Sequence, residues 1–262
     1  MKSAWSGLLV AFSLYSTVPV PQVQWERHTM RWALSFLPLV GVLIGALEWG
    51  WSALCTRLAA NALFYAVGAT LLPLLVSGGI HLDGLCDSCD ALCSFGDREK
   101  RLAILKDPHV GAFGPLWLMA FLLAEVGCFA QLYDRPVLLP LALCGFALAR
   151  TLGGCKVVCS PCAKDSGLAH LFAENSDKKA VAAALATAFL LLTVVAGQAV
   201  CAVPHGRTAV GVLAAVLLAW GAVHENMTRR VFGGITGDLA GLCISVAELL
   251  ALLCAALGGL FI

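Results

Sequence analysis

A histidine and three carboxylates fall within ten residues, His81-Leu82-Asp83-Gly84-Leu85-Cys86-Asp87-Ser88-Cys89-Asp90. Helical periodicity sets Asp87 about 40°, Asp90 about 340° and Ser94 about 20° from Asp83, so all four share one narrow face. Leu82, Leu85, Cys86, Cys89, Leu92 and Cys93 form a separate apolar face. Like charges spaced i,i+4 destabilise a helix, and a divalent cation relieves that repulsion. Oxygen-only ligands suit Mg²⁺ or Mn²⁺, and Mg²⁺ takes one or two carboxylates together with substrate phosphates. The competing reading is a solvated acidic helix end. Asp83, Asp87 and Asp90 are therefore candidate Mg²⁺ ligands and catalytic residues. His81 is a candidate general base or partner of the metal site.

Cys86-x-x-Cys89 and Cys159-Ser160-Pro161-Cys162 together imitate a four-thiolate zinc spacing. Helical phase turns Cys86 and Cys89 away from the carboxylates, which favours packing over zinc. Most of the twelve cysteines lie in apolar runs, and no structural disulfide is expected.

Downstream, Asp97–Asp107 reads as a short helix capped by Asp97, with Arg98, Lys100, Arg101 and Lys106 as a basic edge. It suits either lipid headgroups or a phosphate-bearing substrate. A turn follows over Asp107-Pro108-His109-Val110-Gly111-Ala112-Phe113-Gly114. A second glycine-rich turn, Gly233-Gly234-Ile235-Thr236-Gly237-Asp238, follows Arg229 and Arg230 and opens a helix whose free N–H groups suit an anion.

These groups need a scaffold, and composition says which kind. The chain is 60% hydrophobic and 13% charged, with a mean hydropathy of +0.87. A soluble domain carries about 25% charged residues, so lipid must solvate much of this chain. Its net charge of +1 gives no nucleic-acid footprint. Apolar runs place spans at Trp32–Leu54, Asn61–Ile80, Phe113–Tyr133, Val137–Val158, Ala180–Val203, Thr208–Thr228 and Leu239–Ile262. The expected fold is all-α, a single polytopic bundle of about seven transmembrane helices over residues 1–262. Ala4–Thr17 reads as a helix at the interface, with a full span as the alternative. The carboxylate segment is expected to continue the second span as one helix over Ile80–Phe95.

Basic residues divide unevenly between the two sides of these spans. Lys2, Arg27, Arg31, Arg98, Lys100, Arg101, Lys106, Lys156, Lys164, Lys178, Lys179, Arg229 and Arg230 fall on one side, with Arg150 near it. Only Arg57, Arg135 and Arg207 fall on the other. The positive-inside rule makes the first side cytoplasmic, so the site faces the cytoplasm from the inner membrane. Glu48, Glu125, Glu225, Glu248 and Arg150 lie within predicted spans, where ionisable groups normally face a polar interior.

The run Gly78-Gly79-Ile80-His81-Leu82-Asp83-Gly84-Leu85-x-Asp87-x-x-Asp90 resembles the signature of the cobalamin synthase family, the adenosylcobinamide-GDP ribazoletransferases. Further motifs match in order: Asp97–Asp107, Gly111–Gly114, Arg150, Lys164–Leu168, and Gly233–Asp238 with Glu248 beyond. The resemblance covers nearly the whole chain. It implies a Mg²⁺-dependent transferase joining adenosylcobinamide-GDP to α-ribazole or its 5′-phosphate with loss of GMP. Asp83, Asp87 and Asp90 would hold Mg²⁺ against the diphosphate. Arg98, Lys106, Arg150, Lys164 and Arg230 would contact phosphates, with Gly234, Thr236, Gly237 and Asp238 as an anion cradle or carboxylate donor. The remaining partners are the bilayer and, among proteins, further copies or other cobalamin-assembly enzymes.

The chain departs from the family at Pro108-His109, where Ser-Arg is usual, at Asp165-Ser166, where two acidic residues are common, and at Ala169, where a glycine is usual. The rival readings are a carrier and a CDP-alcohol phosphotransferase acting on lipid. Against the carrier, the charges gather at one face. The phosphotransferase pattern D-x-x-D-G-x-x-A-R is absent.

Overall fold

The computed structural model describes residues 2–260; the last two residues of the expected final span lie outside them. Among the described residues the chain is helical throughout, without strands. Helix α1 (Lys2–Tyr15) and the short α2 (Arg27–Met30) precede a 3-10 turn, Ala33–Phe36, which feeds α3 (Leu37–Arg57). Fourteen residues of α1 rise about 21 Å, too little to cross the roughly 30 Å apolar layer. It packs instead on that 3-10 turn, on α2 and on α3.

The second span ends earlier than its hydropathy suggests. Helix α4 (Ala62–Ser77) stops at Gly78 and Gly79, both left-handed with φ of 64° and 80°. The chain then turns by 95° into α5 (Ile80–Cys93). This corrects the expectation of one continuous helix. Two successive left-handed residues break the hydrogen-bond ladder, and glycine adopts that geometry without steric cost.

A short amphipathic helix, α6 (Arg98–Ile104), lies outside the spans, with Asp97 Oδ1 accepting from Lys100 N at 3.0 Å as its spacing predicts. Helices α7 (Phe113–Asp134) and α8 (Leu139–Cys159) follow, then a helix the hydropathy does not mark, α9 (Leu168–Asn175). The last three are α10 (Lys178–Ala199), α11 (Gly206–Val231) and α12 (Gly237–Gly258). Among the described residues six helical stretches are long and apolar enough to cross a membrane, or seven if the bent pair of α4 and α5 is one span. The chain is a multi-pass membrane protein.

At the centre stand α8 and α12. In their most apolar stretches 83% and 72% of residues are buried, against 17% for α10, so α10 belongs to the lipid-facing rim. Helix α3 meets α8 backbone to backbone: a Cβ on Gly41 would stand 2.5 Å from Ala147 Cα, and one on Gly45 2.8 Å from the Leu143 carbonyl oxygen. Small residues four apart permit such contact where lipid provides no hydrophobic drive between helices.

Candidate active site

Helices α5 and α12 cross tightly, and that crossing assembles the site. A Cβ on Gly84 would meet the Asp238 carbonyl oxygen at 2.7 Å. Ser245 Oγ donates to the His81 carbonyl at 3.2 Å. Asp83 on α5 therefore comes beside Asp238, the second residue of α12. Both line a cavity of ≈ 210 Å³ together with His81. The charges nearest Asp87 are those of Asp83, Asp238 and Asp90.

Asp90 has a different task. Its Oδ2 accepts from Gly111 N at 2.9 Å, and its Oδ1 from Phe113 N at 3.0 Å and Gly114 N at 2.9 Å. It is buried and caps the N-terminus of α7, satisfying the free N–H groups of Phe113 and Gly114 and that of Gly111 in the preceding turn. Any side chain on Gly114 would strike Cys86 Sγ and this carboxylate. The carboxylates that the fold gathers are thus Asp83, Asp87 and Asp238. We expect Asp90→Ala to lower stability by about 1–2 kcal/mol, the scale of a lost N-cap, as read from thermal unfolding in detergent. A loss of Mg²⁺ activation by Asp90→Asn at unchanged stability would instead make it a ligand.

A second cavity of ≈ 190 Å³ adjoins the first through Leu168, Ala169, Gly237 and Asp238. Its polar lining includes Lys106, Lys164, His170 and Thr236. Lys164 Nζ donates to the Leu102 carbonyl at 2.8 Å. Burial, and secondarily the charge of Lys106, pulls its pKa below that of an ordinary lysine, while Asp238 opposes the shift. Thr236 caps α12, its Oγ1 accepting from Leu239 N at 3.3 Å.

The expected phosphate contacts divide. Lys106 and Lys164 face the second cavity. Arg98 lies across the glycine turn, its guanidinium where a Gly233 side chain would be, and donates to the Ala163 carbonyl at 3.4 Å. Arg230 is exposed and lines neither cavity. Arg150 is 1% exposed and bound in the bundle core to Glu248 and the Phe146 carbonyl, so its charge serves the core rather than a phosphate.

The expected cradle is also narrower than its glycines suggest. Gly234 N–H is taken by the Thr228 carbonyl and Ile235 N–H by the Pro161 carbonyl. Gly237, at the start of α12, lines both cavities. His109 is exposed and folds back on Asp107, whose carboxyl its backbone N–H and ring hold below the usual range. Ser94 ends α5 with its hydroxyl donating to the Ala91 carbonyl, away from the carboxylates.

All twelve cysteines are free thiols. Cys86 packs at Gly114 and Cys162 pairs by a backbone bridge with Ile235, so the two C-x-x-C pairs serve different joints. Among the described residues no three His, Cys, Asp or Glu side chains converge closely enough to hold a metal ion unaided. Helix α9 and Tyr15 were missed as lining residues. The signal for α9 was the i, i+3, i+4 set Leu168, Leu171 and Phe172; nothing in the sequence marked Tyr15.

The cobalamin-5-phosphate synthase family profile matches residues 7–256. The chain belongs to that family. Among similar proteins is the adenosylcobinamide-GDP ribazoletransferase of Lachnoclostridium phytofermentans, 35% identical over 246 residues, 94% of this chain and 91% of the relative. The Geobacillus kaustophilus and Pseudomonas putida strain GB-1 proteins of the same name are 32% and 34% identical over 259 and 264 residues. They cover 95% of this chain, and 94% and 98% of their own lengths. No solved structure matches the chain.

Proposed function

We propose that this chain is an adenosylcobinamide-GDP ribazoletransferase. It joins the cobinamide phosphate of adenosylcobinamide-GDP to α-ribazole or its 5′-phosphate and releases GMP. One observation carries the reading: Asp238 is shared by a chamber with the carboxylate of Asp83 and a chamber with two lysines. A diphosphate needs both environments, cations for its ground-state charge and carboxylates to retain a divalent ion. The family and its named relatives supply the corrinoid and the ribazole.

Asp83, Asp87 and Asp238 are an all-oxygen donor set suited to Mg²⁺, and none forms an ion pair among those described. Substrate phosphate and water would complete the coordination that no three side chains reach alone. Bound there, Mg²⁺ would offset charge developing on the breaking phosphoanhydride.

Lys106 and Lys164 hold and orient the diphosphate. The acceptor hydroxyl attacks the cobinamide-side phosphorus, a new P–O bond forms, and the bond to GMP breaks. His81 lines the first cavity and its buried Nε2 has no hydrogen-bond partner among the described residues, an orphan that the acceptor hydroxyl would satisfy. The positive-charge asymmetry supports an inner-membrane enzyme with both cavities open to the cytoplasm.

The test is GMP release from adenosylcobinamide-GDP on addition of α-ribazole, with Mg²⁺ and with a chelator. No release with both substrates and Mg²⁺ refutes the reading; release unchanged by chelation refutes the metal. Lys164 adds a pH signature. Its lowered pKa means the charge disappears earlier as pH rises, so kcat/KM for the donor falls earlier on the alkaline side than an ordinary lysine would allow. Lys164→Arg is expected to move that fall to higher pH.

A further inference from the structure

The lining of the carboxylate-bearing cavity is mostly apolar. Away from Asp83, Asp238 and His81 its walls include Leu37, Ile80, Val157 and Ile244. Tyr15, at the last turn of α1, also lines it and stacks on His81, with ring centroids 6.0 Å apart and planes 23° from parallel. Tyr15 also meets Phe172, tilted by 41° at 6.2 Å between ring centroids, and Phe172 meets Trp25 at 6.3 Å. Trp25 is 43% exposed, so an aromatic row runs from the surface to the cavity wall.

We propose that this cavity seats the benzimidazole base of the acceptor, with Tyr15 as its stacking platform. This rests on the transferase reading and adds to it which chamber takes which substrate. A cavity of about 150 Å³ holds a benzene ring, so ≈ 210 Å³ has room for a fused bicycle. Two heteroaromatic rings meet in the reaction, guanine and dimethylbenzimidazole. Guanine carries donors and acceptors along its edge, and each must find a partner when buried. Beyond His81, the two carboxylates and the single hydroxyl of Tyr15, the side chains of this wall are apolar, too few partners for the donors and acceptors of a guanine edge. Dimethylbenzimidazole presents methyl groups and a π face, which suit aliphatic walls and an aromatic neighbour.

Placed there, the ribose projects toward Asp83 and Asp238, where the lysine-lined chamber begins. The acceptor hydroxyl then meets the diphosphate at the boundary between the two cavities. The proposal also accounts for α1: too short to cross the membrane, it covers the base.

The test uses the full-length protein in nanodiscs, with equilibrium dialysis of α-ribazole and, separately, of GDP. Tyr15→Ala is expected to weaken α-ribazole binding and raise its KM about tenfold, the scale of one lost aromatic stack. GDP binding and the KM for adenosylcobinamide-GDP should stay within about twofold, and Tyr15→Phe should restore the α-ribazole values. Val157→Phe, which fills the cavity from α8, should show the same split.

An experiment on the unaltered protein removes any doubt about folding. Free 5,6-dimethylbenzimidazole should compete with α-ribazole and leave the KM for adenosylcobinamide-GDP unchanged. A rise in the donor's KM in either cavity variant, or dimethylbenzimidazole competing with the donor, would overturn the assignment and place guanine here. So would variants and base that affect neither substrate. GMP release by the wild-type protein in the same assays separates failure of this subsite from failure of the transferase reading.

Discussion

Asp83→Asn lowers the transferase kcat/KM by about 10²- to 10³-fold while the protein folds as before, the scale expected for removing one preorganised electrostatic group. The side chain is exposed to the cavity it borders, and among the described residues no ion pair engages it. Its charge therefore adds nothing to the fold, and removing one of several crowded carboxylates slightly relieves repulsion. An amide of the same shape keeps the volume but loses the anion that would retain Mg²⁺ against the diphosphate. Asp87→Asn and Asp238→Asn should follow the same pattern. GMP release, measured alongside thermal unfolding, distinguishes this from misfolding. A near-normal rate with saturating Mg²⁺ would remove Asp83 from the machinery.

Arg150→Met should do the reverse, striking the fold first. The guanidinium is 1% exposed and bound to Glu248, which is itself buried, and the charge of Glu125 lies near both. Removing the cation leaves buried carboxylates without their partner, at a cost of about 3–5 kcal/mol. At roughly 2–4 °C per kcal/mol for a chain of this size, the unfolding midpoint should drop by about 10 °C. The double change Arg150→Met with Glu248→Met removes both charges and should recover most of that loss. Failure of the double variant to recover would mean that the arginine acts through another contact, such as its bond to the Phe146 carbonyl.

Much of this architecture is legible in the sequence because each signal involved is local. Apolar runs locate the spans, and charge asymmetry separates their two sides. The Asp97 cap shows as a polar residue just ahead of a helix. What escapes is whatever depends on a neighbour distant in the chain. Helical phase correctly puts Asp90 near the angle of Asp83, yet it cannot say that the start of α7 abuts that part of α5. Asp238 stands out as the end of a glycine turn, but nothing local reveals that Gly84 lets it approach Asp83. Arg150 reads as a phosphate ligand until Glu248, 98 residues later, is found beside it. The break at Gly78–Gly79 was visible as a pair of glycines. Hydropathy overrode it, because apolar content continues smoothly through the turn.

The position of Asp238 within its helix has one more consequence. It is the second residue of α12, so α12 starts at the site and its 22 residues carry the backbone about 33 Å away. Helix α1 stays beside the cavity. A probe at Gly258, at the far end of α12, therefore reports on a region about 33 Å from the carboxylates, whereas a probe on Tyr15 of α1 reports on the cavity itself.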